Sequence, residues 1–270
     1  MGSPETEGMA FRLAAVYAHP DDDTYSLAGT YALEEGRLDL TVVVATSGEA
    51  GEIADPSLAT AESLGAVRER EEREALATVA AGGASVHFLR YPDGALADVP
   101  SDDLVQAIEA VLRDRRPQVV ATFGPEGVTK HPDHVAVHQA ATEAFHRLQA
   151  KSTEGSFRRL FYSAVPQSLL ERWMEAMRSA GIDTGHPDDP LSPRGVPDAT
   201  ITCRVDCGAV LGRKMAALRA HRTQSQELEA MPEQVRAEVL GSEFFVQAWP
   251  PMTEPGGPLL GSLFDGLEEG

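Results

Sequence analysis

Between residues 12 and 164 the chain alternates short, nearly uninterrupted apolar runs with longer amphipathic stretches. The runs Leu13–Tyr17, Leu40–Ala45 and Val119–Thr122 lack the every-second-residue polarity of a strand with one wet face, so they read as strands covered on both sides. Such strands need helices above and below them, and parallel neighbours need a crossover of about a dozen residues or more. The amphipathic stretches supply both. The pattern predicts strands near 12–18, 39–45, 85–89, 118–123 and 159–164, with helices over 26–36, 61–81, 101–115, 133–150, 167–180 and 209–222. Ser101, ahead of Asp102 and Asp103, is the expected N-cap of one helix, and Pro117 is its stop.

The fold class that follows is α/β, a Rossmann-like and mostly parallel sheet with flanking helices over residues 10–165. Beyond that point the rhythm weakens. Residues 166–250 are expected to form a smaller C-terminal subregion that completes the pocket, with a loop over 181–198 and a short strand at 243–249. Residues 1–9 read as a disordered leader and 251–270 as a loosely ordered tail.

Composition removes several function classes. Against 42 acidic residues the chain has 23 basic ones, a net charge of −19 that repels polyphosphate backbones and anionic lipid surfaces. Nucleic acid and membrane binding are therefore not expected, and no apolar run approaches the roughly 20 residues of a membrane span. The acidic start lacks the positive charge of a secretory signal. Cys203 and Cys207 are too few for a disulfide scaffold or a four-thiolate zinc site, and they read as small apolar packing residues. A cytoplasmic protein acting on a small molecule is the expectation, with a homo-oligomer left open.

Two clusters carry chemistry. His19-Pro20-Asp21-Asp22-Asp23 lies where the first strand ends, and Gly124-Pro125-Glu126-Gly127 followed by His131-Pro132-Asp133-His134 lies just past the fourth. Open α/β sheets bind ligands at the carboxyl edge of their strands, so the two clusters can converge although they are distant in sequence. Two imidazoles and one carboxylate with an open position make a catalytic zinc set. His19, Asp22 and His134 are the chosen ligands, which leaves Asp21 beside the metal as general base. One zinc per chain is expected, although Fe²⁺ or Co²⁺ suits the same donors. His138, one helical turn after His134, offers a rival His-x-x-x-His pair that would leave the first cluster unused. His87, His146 and His186 read as structural, and the run Val67–Glu74 reads as a solvated, ion-paired helix face. The Gly-rich fingerprints of nucleotide binding are absent.

With these residues in place the chain resembles the PIG-L/LmbE-like zinc-dependent N-deacetylases, which remove acetyl groups from N-acetylglucosamine units in glycolipid, mycothiol and bacillithiol pathways and from some antibiotics. The resemblance covers most of residues 10–250 and extends to Ser47-Gly48-Glu49-Ala50-Gly51-Glu52, Arg68 with Glu71, Asp93-Gly94, and Leu218 through His221 to Gln224. It implies that His19, Asp22 and His134 hold the metal and that Asp21 is the base. It further implies that His131 stabilises the oxyanion or protonates the leaving amine, that Asp133 orients it, and that Arg68 contacts substrate. Glu49 and Glu52, on a lip over the site, and His221 and Gln224 are the other expected substrate contacts; for His221 a structural helix-end role is the alternative. Two departures stand out: Asp23 where the family commonly has Glu, and Thr129 where some sugar deacetylases carry Tyr. The expected activity is hydrolysis of an N-acetyl or other N-acyl group on a small amino-sugar-like substrate. Its rivals are an amidase acting on a thiol-sugar conjugate and a non-catalytic metal- or sugar-binding relic, the latter disfavoured by intact Asp21 and His131.

Overall fold

The computed structural model describes residues 11–268 apart from 54, 81, 153–154, 183–191 and 253–256. The proposed leader and His186 lie outside the described residues. Five strands, β1 (Phe11–Tyr17), β2 (Leu38–Val44), β3 (Ala84–Phe88), β4 (Val119–Phe123) and β5 (Arg159–Ser163), run parallel and fall within about one residue of their expected places. The crossover helices are α1 (Asp22–Leu33), α2 (Leu64–Val79), α3 (Ser101–Arg115) and α4 (Pro132–Gln149). After α5 (Gln167–Ser179) come β6 (Cys203–Asp206), α6 (Leu211–Ala220), α7 (Gln226–Ala230), α8 (Glu233–Leu240) and β7 (Ser242–Trp249).

The seven strands form one sheet in the order β3-β2-β1-β4-β5-β7-β6, with β7 antiparallel to both of its neighbours. β1 and β4 are adjacent, paired from Leu13 with Val119 to Ala15 with Ala121, and the chain turns outward in opposite senses from them. That is the topological switch point, where the loops at the carboxyl ends of two strands part and leave a crevice. Both chemical clusters hang from those two strands. Val42, Val43, Val120, Ala121 and Phe161 are fully buried, as strands covered on both faces require.

Some expectations need correction. α1 begins at Asp22, four residues before the expected start, because Asp21 adopts a left-handed backbone (φ 118°) and places Asp22 and Asp23 in the first turn, where exposed N–H groups favour acids. Ser101 is the first helical residue of α3 rather than its cap; Pro100 holds that position and no side chain caps the helix. The helix face at 68–72 is not solvated: Arg68, Glu69, Glu71 and Glu72 are all buried. The tail is packed over its described C-terminal part, since Leu263 and Phe264 enter the core and Phe264 stacks on Phe11 with ring centroids 4.6 Å apart. Cys203 and Cys207 are buried and free, and burial pushes both thiols up to about 12. No described helix is long and apolar enough to cross a membrane.

Candidate active site

The first cluster is shaped by the turn from β1 into α1, and the second by the turn into α4. Gly127 has φ 61°, and a Cβ there would lie 2.6 Å from that of His134, so only glycine lets the backbone carbonyl approach the imidazole. Its oxygen accepts from His134 Nδ1 at 2.8 Å, which leaves Nε2 free to face the first cluster. His19 Nε2 lies 3.0 Å from Asp93 Oδ1 and 3.4 Å from Asp133 Oδ2, so those carboxylates hold the ring with Nδ1 turned the other way.

Three donors converge as a result. His19 Nδ1 and His134 Nε2 are 3.1 Å apart, His19 Nδ1 and Asp22 Oδ2 are 3.4 Å apart, and His134 Nε2 and Asp22 Oδ1 are 3.4 Å apart. A tetrahedral ion with bonds of about 2.0–2.1 Å sets its ligands about 3.3–3.4 Å from one another, so the donor set fits such an ion in both spacing and chemistry. Burial opposes charge on His19, yet Asp133, Asp22 and Asp93 outweigh it and hold the imidazole pKa well above its ordinary value. Burial likewise works against an ionised Asp22, and His134 and His19 overcome it to hold the carboxyl low. A field that favours positive charge at this point is what a divalent cation requires.

His138 is not part of this centre. Its Nδ1 bonds the Phe123 carbonyl oxygen at 2.8 Å and its ring packs edge-on to Tyr162. Among the described residues, His19, His131 and His134 form one group close enough to share an ion and His19, Asp93 and Asp133 another, and His138 is in neither.

Asp21 stands next to the convergent donors, with Arg68 Nη2 3.5 Å from its Oδ2. Burial pushes its carboxyl up to about 7 against the pull of Arg68. Arg68 is only 5% exposed and is tied to the backbone, through Nη1 to Gly48 O at 3.0 Å and through Nη2 to Pro20 O at 2.8 Å. The expected substrate contact is thus foremost a brace that joins the lip to the first cluster. Gly48 (φ 66°) makes this possible, because a Cβ there would lie 2.3 Å from Nη1.

His131 flanks the centre, its ring centroid 5.0 Å from that of His19 and 5.1 Å from that of His134. Burial and then the two neighbouring imidazoles lower its pKa, and its Nδ1 accepts from the Asp133 backbone N–H at 3.2 Å. The side chain of Asp133 does not orient His131. Its carboxylate accepts from Gly94 N at 2.7 Å and Leu96 N at 3.0 Å and faces His19. Asp93, noted in sequence only as part of a motif, is the second carboxylate on His19.

The remaining residues divide. Glu49 and Glu52 are exposed on the lip; Glu49 Oε1 accepts from Asp93 N at 3.0 Å, and Gln224 Nε2 reaches Glu52 O at 3.5 Å. His221 is 2% exposed and bonded to Thr24 Oγ1 at 3.1 Å, so it is packed behind α1 instead of lining a pocket. Asp23 is buried with Tyr31 OH on its Oδ2 at 3.1 Å, and burial pushes it up to about 6. Glu72, beside it, is also buried and is raised well above a normal carboxyl by burial and by Asp23. Asp23 was marked in the sequence only as part of the first cluster and as a departure from the family pattern, and Glu72 was not legible at all.

The fold alone does not decide the reaction. At 20% identity each, a 4-carboxy-2-hydroxymuconate hydratase from Pseudomonas putida (TM-score 0.59, covering 90% of this chain and 98% of that one) and an N,N'-diacetylchitobiose deacetylase from Pyrococcus horikoshii (TM-score 0.57, 92% and 85%) share it. Sequence likeness goes further. The family model described as PIG-L, GlcNAc-PI de-N-acetylase, matches residues 14–145. A 1D-myo-inositol 2-acetamido-2-deoxy-alpha-D-glucopyranoside deacetylase from Saccharomonospora viridis is 35% identical over 274 residues, spanning 92% of this chain and 99% of that protein. The chain belongs to the PIG-L family. Both His-Asp clusters lie within the residues matched by the PIG-L model, and the reaction class that goes with the family is hydrolysis of an N-acetyl amide.

Proposed function

We propose that the protein is a zinc-dependent deacetylase that hydrolyses the N-acetyl amide of a small amino-sugar-like molecule. The observation that carries this reading is the triangle of His19 Nδ1, Asp22 and His134 Nε2, with sides of 3.1, 3.4 and 3.4 Å, and with Asp21 next to it in the chain. The acetamido sugar named for the Saccharomonospora viridis relative supports the substrate class.

Zinc in that triangle would polarise the amide carbonyl and lower the pKa of an attacking water to about 7. Asp21, next in the chain to the ligand Asp22 and held by Arg68, is placed to take the proton from that water. Arg68 holds its carboxylate in place. His131 accepts on Nδ1 and therefore carries its hydrogen on Nε2, where the neutral ring donates to the oxyanion that forms as the water oxygen adds to the carbonyl carbon. A donor of that kind is typically worth about 10²–10³ in rate. When the carbon–nitrogen bond breaks, the proton collected by Asp21 passes to the departing amine. Acetate and the free amine are the products. Asp133 and Asp93 act through His19, and Glu49, Glu52 and Gln224 offer acceptors and a donor to sugar hydroxyls at the lip.

The test is acetate release from N-acetylated sugars and thiol-sugar conjugates, with metal content measured on the same samples. Metal-dependent release from the sugars is the expected result. Cleavage confined to the thiol conjugates would make the protein an amidase of that class, and bound metal without turnover on any of them would make it a binding relic.

A further inference from the structure

The two edges of the sheet are finished differently. β6 carries the exposed Arg204 and Asp206, and the tail closes over it: Arg204 N donates to Leu260 O and Leu260 N donates to Thr202 O, both at 2.9 Å. β3 is the other edge, and among the described residues only β2 pairs with it. Charged side chains, prolines and bulges are the usual guards of an exposed edge, and Ala84–Phe88 has none of them. Leu89 N donates to Val44 O at 2.8 Å and Tyr91 N to Ala45 O at 2.9 Å, which fixes the alternation. Odd-numbered residues turn their backbone groups to β2, so those of Ala84, Val86 and Phe88 point outward.

The flanks of this edge are apolar on one face and neutral on the other. Ala84 and Val86, with Leu76, Ala77 and Ala80, line a hollow of about 390 Å³ beside α2, in whose wall Arg73 is the one charged residue. Phe88 lies under the Arg73 guanidinium, 4.8 Å from ring centroid to carbon. On the opposite face Ser85 Oγ and His87 Nε2 are 3.0 Å apart. From Gly82 to Arg90 there is no carboxylate, in a chain whose net charge is −19. Two such chains repel each other wherever their acids would meet, and this edge brings none.

We propose that β3 pairs with the β3 of a second copy of this chain, antiparallel about a twofold axis at Val86, and joins the two sheets into one. Val86 then faces the partner's Val86, and Ala84 faces the partner's Phe88, each pair exchanging both of its backbone hydrogen bonds. A small side chain meets a large one, and the apolar hollows beside the two α2 helices run together across the axis. On the other face Ser85 meets the partner's His87, so the hydrogen bond made within each strand has an equivalent between strands. A foreign strand would find the same outward donors and acceptors. The palindromic match, small against large and hydroxyl against imidazole, belongs to this strand's own sequence. Because the tail closes over β6, pairing through sheet edges stops at two chains.

The test is sedimentation of the full chain over a range of concentrations, for the wild type and two variants at the axis. The wild type should sediment as a dimer. Val86→Pro removes an outward N–H without touching the ladder to β2, and Val86→Lys sets two ammonium groups against each other. Each should weaken association at least about a hundredfold while circular dichroism is unchanged. A monomeric wild type, or an assembly of any size that both variants leave intact, overturns the proposal. Crosslinking decides the matter should both variants fail to fold. Facing residues of a hydrogen-bonded antiparallel pair stand about 5.5 Å apart at Cα, within the range of about 4.4–6.8 Å that a disulfide spans. Mild oxidation should link Val86→Cys into a covalent dimer and leave Ser85→Cys, which faces the partner's His87, largely unlinked; the native thiols of Cys203 and Cys207 are buried. Linkage at neither position, at both alike or at residue 85 alone overturns the pairing. No residue of the candidate active site takes part, so the result stands or falls separately from the deacetylase reading.

Discussion

Asp21 and Asp22 are neighbours with different work because the backbone turns between them: Asp21 is in the left-handed region and Asp22 opens α1. Asp21→Asn keeps the shape and the Arg68 neighbour but removes the basic oxygen. We expect kcat to fall by about 10²–10⁴ with metal content nearly unchanged, measured by turnover and metal analysis on one preparation. An empty site would make Asp21 a ligand. His134→Ala should remove most of the metal, whereas His138→Ala should keep it, since His138 is occupied by the Phe123 carbonyl oxygen. The reverse pattern in the same metal analysis would restore the helix pair. His221 gives a pH dependence: burial and then Arg68 lower its pKa from 6.5 to about 3 in the folded chain. The unfolded chain takes up that proton near its ordinary value and the native chain does not, so this residue's share of stability falls as pH drops from 6.5 toward 3. His221→Gln, which keeps a partner for Thr24, should flatten denaturation midpoints across that window.

Among the elements, α1, α6 and β7 are held together by one buried ion pair. Lys214 and Glu243 are each 1% exposed, and Glu243 also accepts from Gly29 N, Thr30 N and Thr30 Oγ1. Lys214→Met leaves a carboxylate buried with its other donors only, and losing one partner of such a pair costs about 3–5 kcal/mol. Urea unfolding should report a loss near the lower end of that range, because three donors remain. Adding Glu243→Gln should recover part of the loss. Nothing in the sequence announces this clamp, whose partners sit on a helix and a strand 29 residues apart. The five parallel strands were legible because burial on both faces writes a continuous apolar run. The two His-Asp clusters were legible because strand ends are where ligands bind. The buried acids of α2 were not, since Val67–Glu74 has the composition of a wet surface and only the fold reveals what covers it. The start of α1 was missed for a related reason: three acids in a row resemble a turn until Asp21 is seen to take the strained backbone that sends the next two into a helix. The short helices α7 and α8 lack a periodic apolar stripe long enough to read.

For the whole molecule, the candidate metal centre ties the carboxyl ends of β1 and β4 to the first turns of α1 and α4, so an ion bound there stabilises the native chain alone. At a free metal concentration about a hundredfold above Kd the gain is about 2.7 kcal/mol, and thermal melting should move up on zinc addition and back on chelation. A melting temperature indifferent to both would argue against a native-state site. The strand order also has a consequence for how the chain comes off the ribosome. Strands β1 to β5 and both His-Asp clusters are complete by Ser163, but β6, although synthesised some forty residues before β7 ends, has no seat until β7 arrives to separate it from β5. During that interval β5 is an open edge able to pair with a foreign strand. All the proposed metal ligands are therefore synthesised well before β7 exists, and a nascent chain stalled in this window would carry its donors on a sheet whose β5 edge still lay open to other unfinished chains.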